Sequence, residues 1–219
     1  MPFANRAEAG KRLAEALAHY RDQQPVVLAL PRGGLPVAAE IATALAAPLD
    51  LVIVRKVGVP HQPELAMGAV VDGGQPIVVR NEDVIGAAAI SPAEFDAVCQ
   101  KELEEIERRR RRYLGGRPPI VVTGKTAIVV DDGIATGATT RAALRAIRMR
   151  QPAKLVLAVP VAPSETVPEM RVEADEVVCL EMHDYFGAIS LYYADFRQVG
   201  DDEVIAILKS FAGTQSGAP

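Results

Sequence analysis

Short, continuous apolar runs alternate with stretches of helical periodicity along most of this chain, and that alternation restricts the fold more than any other feature. Val26 to Leu30, Leu51 to Val54, Ala127 to Val130, Leu155 to Pro160 and Glu176 to Leu180 read as strands. Most are aliphatic without an interposed polar position, the pattern of strands buried on both faces. Between them, Leu13, Ala16, Leu17 and Tyr20 fall at i, i+3, i+4 and i+7 behind an Asn5/Glu8 capping signal. The alanine-rich stretch from Leu35 to Ala46 and the stretch from Thr140 to Met149 read as further helices. The expected fold class is therefore α/β: an open, mainly parallel twisted sheet with helices on both faces.

One region breaks the alternation. Gly68 to Val71 and Pro76 to Arg80 read as two short strands around Asp72-Gly73-Gly74, a hairpin signal. Ser91, Pro92 and Glu94 then form a complete helix start, followed by an apolar stripe of Phe95, Cys99, Leu103 and Ile106. We expect one domain over residues 1–219, with 67–118 as an inserted hood or cover, 181–199 as a possible second part of it, and 213–219 as a frayed tail. Gly58 to Pro63 reads as a loop, either a plain surface loop or one that closes over a ligand.

Composition narrows the function classes. The chain has 219 residues, 49% of them hydrophobic and 24% charged, which fits a globular core. The net charge of −4 gives no reason to expect a nucleic-acid or membrane partner. No leader and no membrane span is expected. Cys99 and Cys179 sit in apolar contexts, as free thiols in a reducing cytoplasm do.

The chemistry concentrates between Asp131 and Thr140. Asp131 and Asp132 stand where a buried strand runs out, the place where open α/β sheets bind ligands. Small residues, Gly133, Ala135, Gly137 and Ala138, then lead into a helix. Small side chains let a ligand reach the backbone N–H groups. The helix start adds unpaired donors and about half a positive charge, a cradle for phosphate. Thr136, Thr139 and Thr140 add hydroxyls. Carboxylates for sugar hydroxyls or a metal, beside a phosphate cradle, suit a sugar phosphate.

This string resembles the 5-phosphoribosyl 1-pyrophosphate (PRPP) motif of the type I phosphoribosyltransferases, in which a hydrophobic strand ends in two acids and a Thr-Gly-x-Thr loop follows. Gly133 departs from it, standing where the family usually has a branched apolar residue. Pro31-Arg32-Gly33-Gly34 resembles the family's pyrophosphate loop, and Arg55-Lys56 a basic element found after the second strand. The resemblance follows the family's order from about residue 25 to 160. It implies Mg²⁺-dependent transfer of the phosphoribosyl group from PRPP to a nucleobase-like acceptor, with release of pyrophosphate, as in purine or pyrimidine salvage. Asp131 and Asp132 would take the ribose hydroxyls directly or through Mg²⁺. Ala135, Thr136, Gly137, Ala138, Thr139 and Thr140 would hold the 5-phosphate. Arg32, Gly33, Gly34, Arg55 and Lys56 would hold and neutralise the pyrophosphate. A homodimer is expected for this family.

The acceptor side is less marked. Hypoxanthine/guanine-type members carry an aspartate where this chain has Ala135. Tyr185, Phe186, Tyr192, Tyr193 and Phe196 crowd into twelve residues, either as a local aromatic core or as a wall for the base, with Phe186 the candidate contact. His183 beside Asp184 is either structural or a proton shuttle. Arg108 to Arg112 follows Glu102, Glu104, Glu105 and Glu107, which offers helix ion pairs. An alternative is a PRPP-sensing regulator that binds nucleic acid or a protein through that arginine run.

Overall fold

The computed structural model describes residues 2–72 and 76–212. The hairpin turn expected at Gly73-Gly74 and the tail expected from Gly213 onward fall outside the described residues.

The expected layers are present. β1 (Val26–Ala29), β2 (Leu49–Leu51), β6 (Thr126–Val130), β7 (Lys154–Pro163) and β8 (Glu176–His183) form one sheet in the order β2-β1-β6-β7-β8. Every pairing in it is parallel. Its side chains alternate between two cores, as the strand period of two requires. Val27, Ala29, Ile128, Val130, Val156 and Ala158 face α1 (Arg6–Ala16), α2 (Gly34–Leu45), α4 (Pro92–Leu114) and α7 (Asp201–Phe211). Val26, Leu28, Ala127, Val129, Leu155 and Leu157 face α5 (Ala138–Met149) and α6 (Thr166–Glu173).

The capping signals hold. Asn5 accepts from the Glu8 amide, and Ser91 and Glu94 make a full capping box in front of α4.

A second, antiparallel sheet has the order β3-β4-β5, from β3 (Val54–Val59), β4 (Gln62–Val71) and β5 (Ile77–Arg80), with α3 (Glu82–Ala87) behind it. It begins at Val54, thirteen residues before the expected start of the hood at 67. Gly58 to Pro63 is accordingly not a loop: β3 and β4 continue through it, and only Pro60 and His61 lie between them. The register shifts at Gly58, where a Cβ would come within 2.5 Å of the Pro63 carbonyl oxygen. Gly and Pro at this bulged hairpin mimic loop composition. Likewise Leu51 to Val54 is not one strand: β2 ends at Leu51 and β3 starts at Val54 in the other sheet. Met67, Val70, Phe95 and Ile106 share one buried cluster with Ile128 and Val130, so the small sheet and α4 extend the main core. Sequence periodicity left α3, α6 and α7 unassigned; α3 and α6 are single short helices of six and eight residues.

Candidate active site

β6 is buried at all five positions and ends at Val130, which brings Asp131 and Asp132 to the carboxyl edge of the sheet. The Leu30 amide donates to the Val130 carbonyl at 2.9 Å, so the Pro31–Gly34 loop leaves β1 directly beside the two acids. The approach is close enough to exclude side chains. A Cβ on Gly33 would lie 2.0 Å from the Asp132 carboxylate, and one on Gly34 2.6 Å from the Val130 carbonyl. The Pro31-Arg32 peptide is cis.

The two carboxyls differ in their surroundings. Asp132 is buried and accepts from Arg6 Nε at 2.7 Å. Asp131 accepts from the Asp132 amide at 2.9 Å, and among the described residues no cation pairs with it. Burial, and then the neighbouring Asp132 carboxylate, push the Asp131 carboxyl well above the usual carboxylate range. A cation or hydroxyl donor placed there would oppose that shift.

The loop beyond is the second half of the site. Ile134 is tied to β7 through its amide and the Val161 carbonyl at 2.9 Å. Gly137 precedes α5 with φ 72°, a left-handed conformation that favours glycine. Among the described residues, none of the backbone N–H groups from Ala135 to Thr140 donates to a protein acceptor. α5 has no side-chain cap. A run of free amides at a helix start is an anion site. Ala135, Thr136, Ala138 and Thr139 are exposed, whereas Thr140 is buried. The Gly133 departure from the motif has a steric cause: a Cβ there would come within 2.7 Å of Ile189, which fills that space from the segment after β8.

Ten of the expected site residues fall into three concavities; Gly34, Arg55, Gly137 and Thr140 line none of them. Arg32, Gly33, Asp131 and Asp132 share one of about 460 Å³ with Arg6 and Phe196. Ala135, Thr136 and Phe186 line another with Glu165, Asp184 and Tyr185. Ala138 and Thr139 line a third, with Lys56 and Arg80 across from them on the small sheet. Lys56 is not brought to Arg32; it pairs with Glu64 at 3.0 Å. Arg55 pairs with Glu102 of α4 at 2.7 Å, and Arg32 lies 3.6 Å from Asp201 of α7.

Two carboxyls and no third form the acidic set, and among the described residues no group of three or more His, Cys, Asp or Glu could hold a metal. Asp131 and Asp132 are the carboxylates that would hold a Mg²⁺, which binds through one or two carboxylates plus phosphate oxygens and water.

The aromatic cluster splits. Tyr193 is buried against Phe3, and its hydroxyl donates to the Asp132 carbonyl at 2.6 Å. Phe196 lies under the Arg6 guanidinium at 3.8 Å. Phe186 stacks on Tyr192 and faces the Ala135 cavity, and Tyr185 is exposed. His183 packs on Tyr192, with Nε2 3.5 Å from Glu181. Sequence reasoning missed Arg6 and Glu165. Glu165 carried no sequence signal, and Arg6 had one only in standing as a cation at a helix start.

All five arginines of the run from 108 to 112 have carboxylate partners: Glu105 for Arg108 and Arg109, Asp72 for Arg110, Glu107 for Arg111 and Asp201 for Arg112. No helix of the described residues is long and apolar enough to cross a membrane.

A parallel sheet whose central strand ends in two acids and an open amide loop defines a phosphoribosyltransferase-type domain. The comparisons agree: the phosphoribosyl transferase domain model matches residues 4–197, and the chain belongs to that family. It is 48% identical over 206 residues to a Mycobacterium tuberculosis protein provisionally named phosphoribosyl transferase Rv0571c. That match covers 94% of this chain but 46% of the relative, so the chain spans about half the relative's length. The structure of TT1426 from Thermus thermophilus is similar along its whole length, with TM-score 0.85, 41% identity and coverage of 97% of this chain and 100% of that one. A Neisseria gonorrhoeae protein solved with bound ppGpp shares the fold at TM-score 0.50 and 15% identity, over 96% of this chain and 94% of that one.

Proposed function

We propose that this chain binds PRPP with Mg²⁺ and transfers its 5-phosphoribosyl group to a nucleobase-like acceptor. The open amides from Ala135 to Thr140, next to the uncompensated Asp131 carboxyl, carry this reading. The amides and the Thr136 and Thr139 hydroxyls take the 5-phosphate, and Asp131 and Asp132 face the ribose hydroxyls. The Arg32–Gly34 loop, beside the same acids, takes the pyrophosphate.

In the reaction, the bond from the anomeric carbon to the pyrophosphate oxygen breaks and a bond to an acceptor nitrogen forms. The pyrophosphate leaves with the bonding pair, and the nitrogen's proton goes to a base. Bound Mg²⁺ would neutralise pyrophosphate charge. The chain's own contribution is positioning and fixed charge. Ala135 offers no base. The Phe186 cavity offers Glu165 and Asp184, which have no ion-pair partner among the described residues. Lys56 sits in a strand across from α5 and reaches the pyrophosphate only by giving up Glu64; an exposed pair of this kind is worth no more than about 1 kcal/mol. We also propose a cytoplasmic homodimer. The regulator alternative is less favoured, because each arginine of the 108–112 run has a carboxylate partner within the chain.

The test is pyrophosphate release from PRPP and Mg²⁺ across a panel of free purines and pyrimidines. Release with at least one base, lost in Asp131→Asn/Asp132→Asn, is the expected result. PRPP binding with no release for any base would instead favour a sensor.

A further inference from the structure

Arg6 is the first residue of α1, where the helix dipole disfavours a cation. Its place has therefore to be explained by contacts outside the helix. Nε donates to Asp132 Oδ2 at 2.7 Å, and Nη1 donates to the Arg197 carbonyl at 2.8 Å. The guanidinium carbon lies over the Phe196 ring, 3.8 Å from its centroid. Both side chains of the Arg6–Asp132 pair are 11% exposed. Around them the N-terminus is zipped onto the cover: the Phe3 amide donates to the Tyr192 carbonyl, and the Ala194 and Asp195 amides donate to the Phe3 and Ala4 carbonyls. Arg6 is thus held on three sides and lines the same concavity as Arg32, Gly33 and Asp131.

We propose that Arg6 is the resident counter-cation of the acidic pair, a positioning residue that fixes Asp132 and leaves Asp131 as the one carboxyl without a cation. This rests on the sugar-phosphate reading above. With both carboxyls ionised, one cation for two carboxyls leaves the pair a net single negative charge. Such a site is a poor trap for a free divalent ion and accepts one only with the phosphates of its ligand. Arg6 also sets which acid does what: Asp131 meets the ligand, and Asp132 anchors the wall formed by Arg6, Tyr193 and Phe196.

The test uses the full chain and Mn²⁺ as the probe, without any sugar phosphate, in the wild type and in Arg6→Met, Arg6→Gln and Arg6→Lys. Met keeps the packing on Phe196 but not the charge. Arg6→Met and Arg6→Gln are expected to bind Mn²⁺ at least about tenfold more tightly, because a close positive charge has been removed. Arg6→Lys should stay near the wild type, and ribose 5-phosphate affinity should fall in the two neutral variants. Folded neutral variants with unchanged or weaker Mn²⁺ binding would overturn the proposal. Should the variants not fold, the wild type decides it by NMR. The Arg6 Nε–H is expected to exchange slowly in the free protein and to stay protected when ribose 5-phosphate is added. Rapid exchange in the free protein, or loss of protection on ligand addition, would overturn it. Failure of the wild type to bind ribose 5-phosphate at all would instead count against the sugar-phosphate reading, whatever Mn²⁺ does.

Discussion

The loop from Asp131 to Thr140 and the small sheet from Val54 to Arg80 both carry many polar groups, but they dispose of them in opposite ways. In the small sheet each charge is matched within the protein. Arg55 pairs with Glu102, Lys56 with Glu64 and Arg80 with Glu82. Asp72 is matched by Arg110 and by the Ile53 amide. In the loop, among the described residues, the amides of residues 135–140 have no acceptor and the Asp131 carboxyl, which accepts only from the Asp132 amide, has no paired cation. Buried and half-buried polar groups are normally satisfied. Groups left open beside a matched frame are available to a ligand; groups closed on each other support the frame.

Mutations in the frame and at the ligand loops should differ in kind. The largest effect should fall on the frame. Asp72→Ala leaves Arg110 buried without its partner and should cost about 3–5 kcal/mol in urea unfolding. A loss below about 1 kcal/mol would contradict its role as frame.

Next comes Gly33→Ala, whose Cβ would displace the Asp132 carboxylate. Calorimetry should show PRPP affinity reduced by roughly one to two decades, the worth of a charge-assisted contact. Unchanged affinity would place the ligand elsewhere.

Asp131→Asn should act in the other direction on stability. The folded state raises the Asp131 pKa above its unfolded value of about 3.9, so the folded protein binds that proton more tightly. The wild type therefore loses stability as pH rises from about 4 upward. The Asn variant lacks this loss. Its melting temperature should exceed that of the wild type at pH 8, with the gap closing toward pH 4. A gap that widens on acidification would contradict the raised pKa.

The smallest expected change is Glu64→Ala. It removes an exposed ion pair and should alter stability by less than about 1 kcal/mol, while freeing Lys56 for an anionic ligand.

Legibility from sequence followed the same division. The parallel sheet was readable because β1, β6 and β7 are continuous apolar runs with no other use for their residues. The acids and the amide loop were readable because their spacing is local: strand end, two carboxylates, small residues, helix. What sequence did not show was contributed from a distance. Arg6 reaches Asp132 across 126 positions, and Ile189 fills the space that the Gly133 side chain would take. The start of the small sheet at Val54 was hidden because a bulged hairpin with Gly58, Pro60 and Pro63 has the composition of a loop.

Titration of PRPP and Mg²⁺ into the wild type and into Asp131→Asn/Asp132→Asn, followed by thermal unfolding, tests the central claim most directly. Ligand at about a hundred times its Kd adds about 2.7 kcal/mol, or about 5–11 °C for a chain of this size. The account predicts that shift in the wild type and its loss in the double variant. No shift at millimolar PRPP, or an equal shift in both proteins, would contradict it.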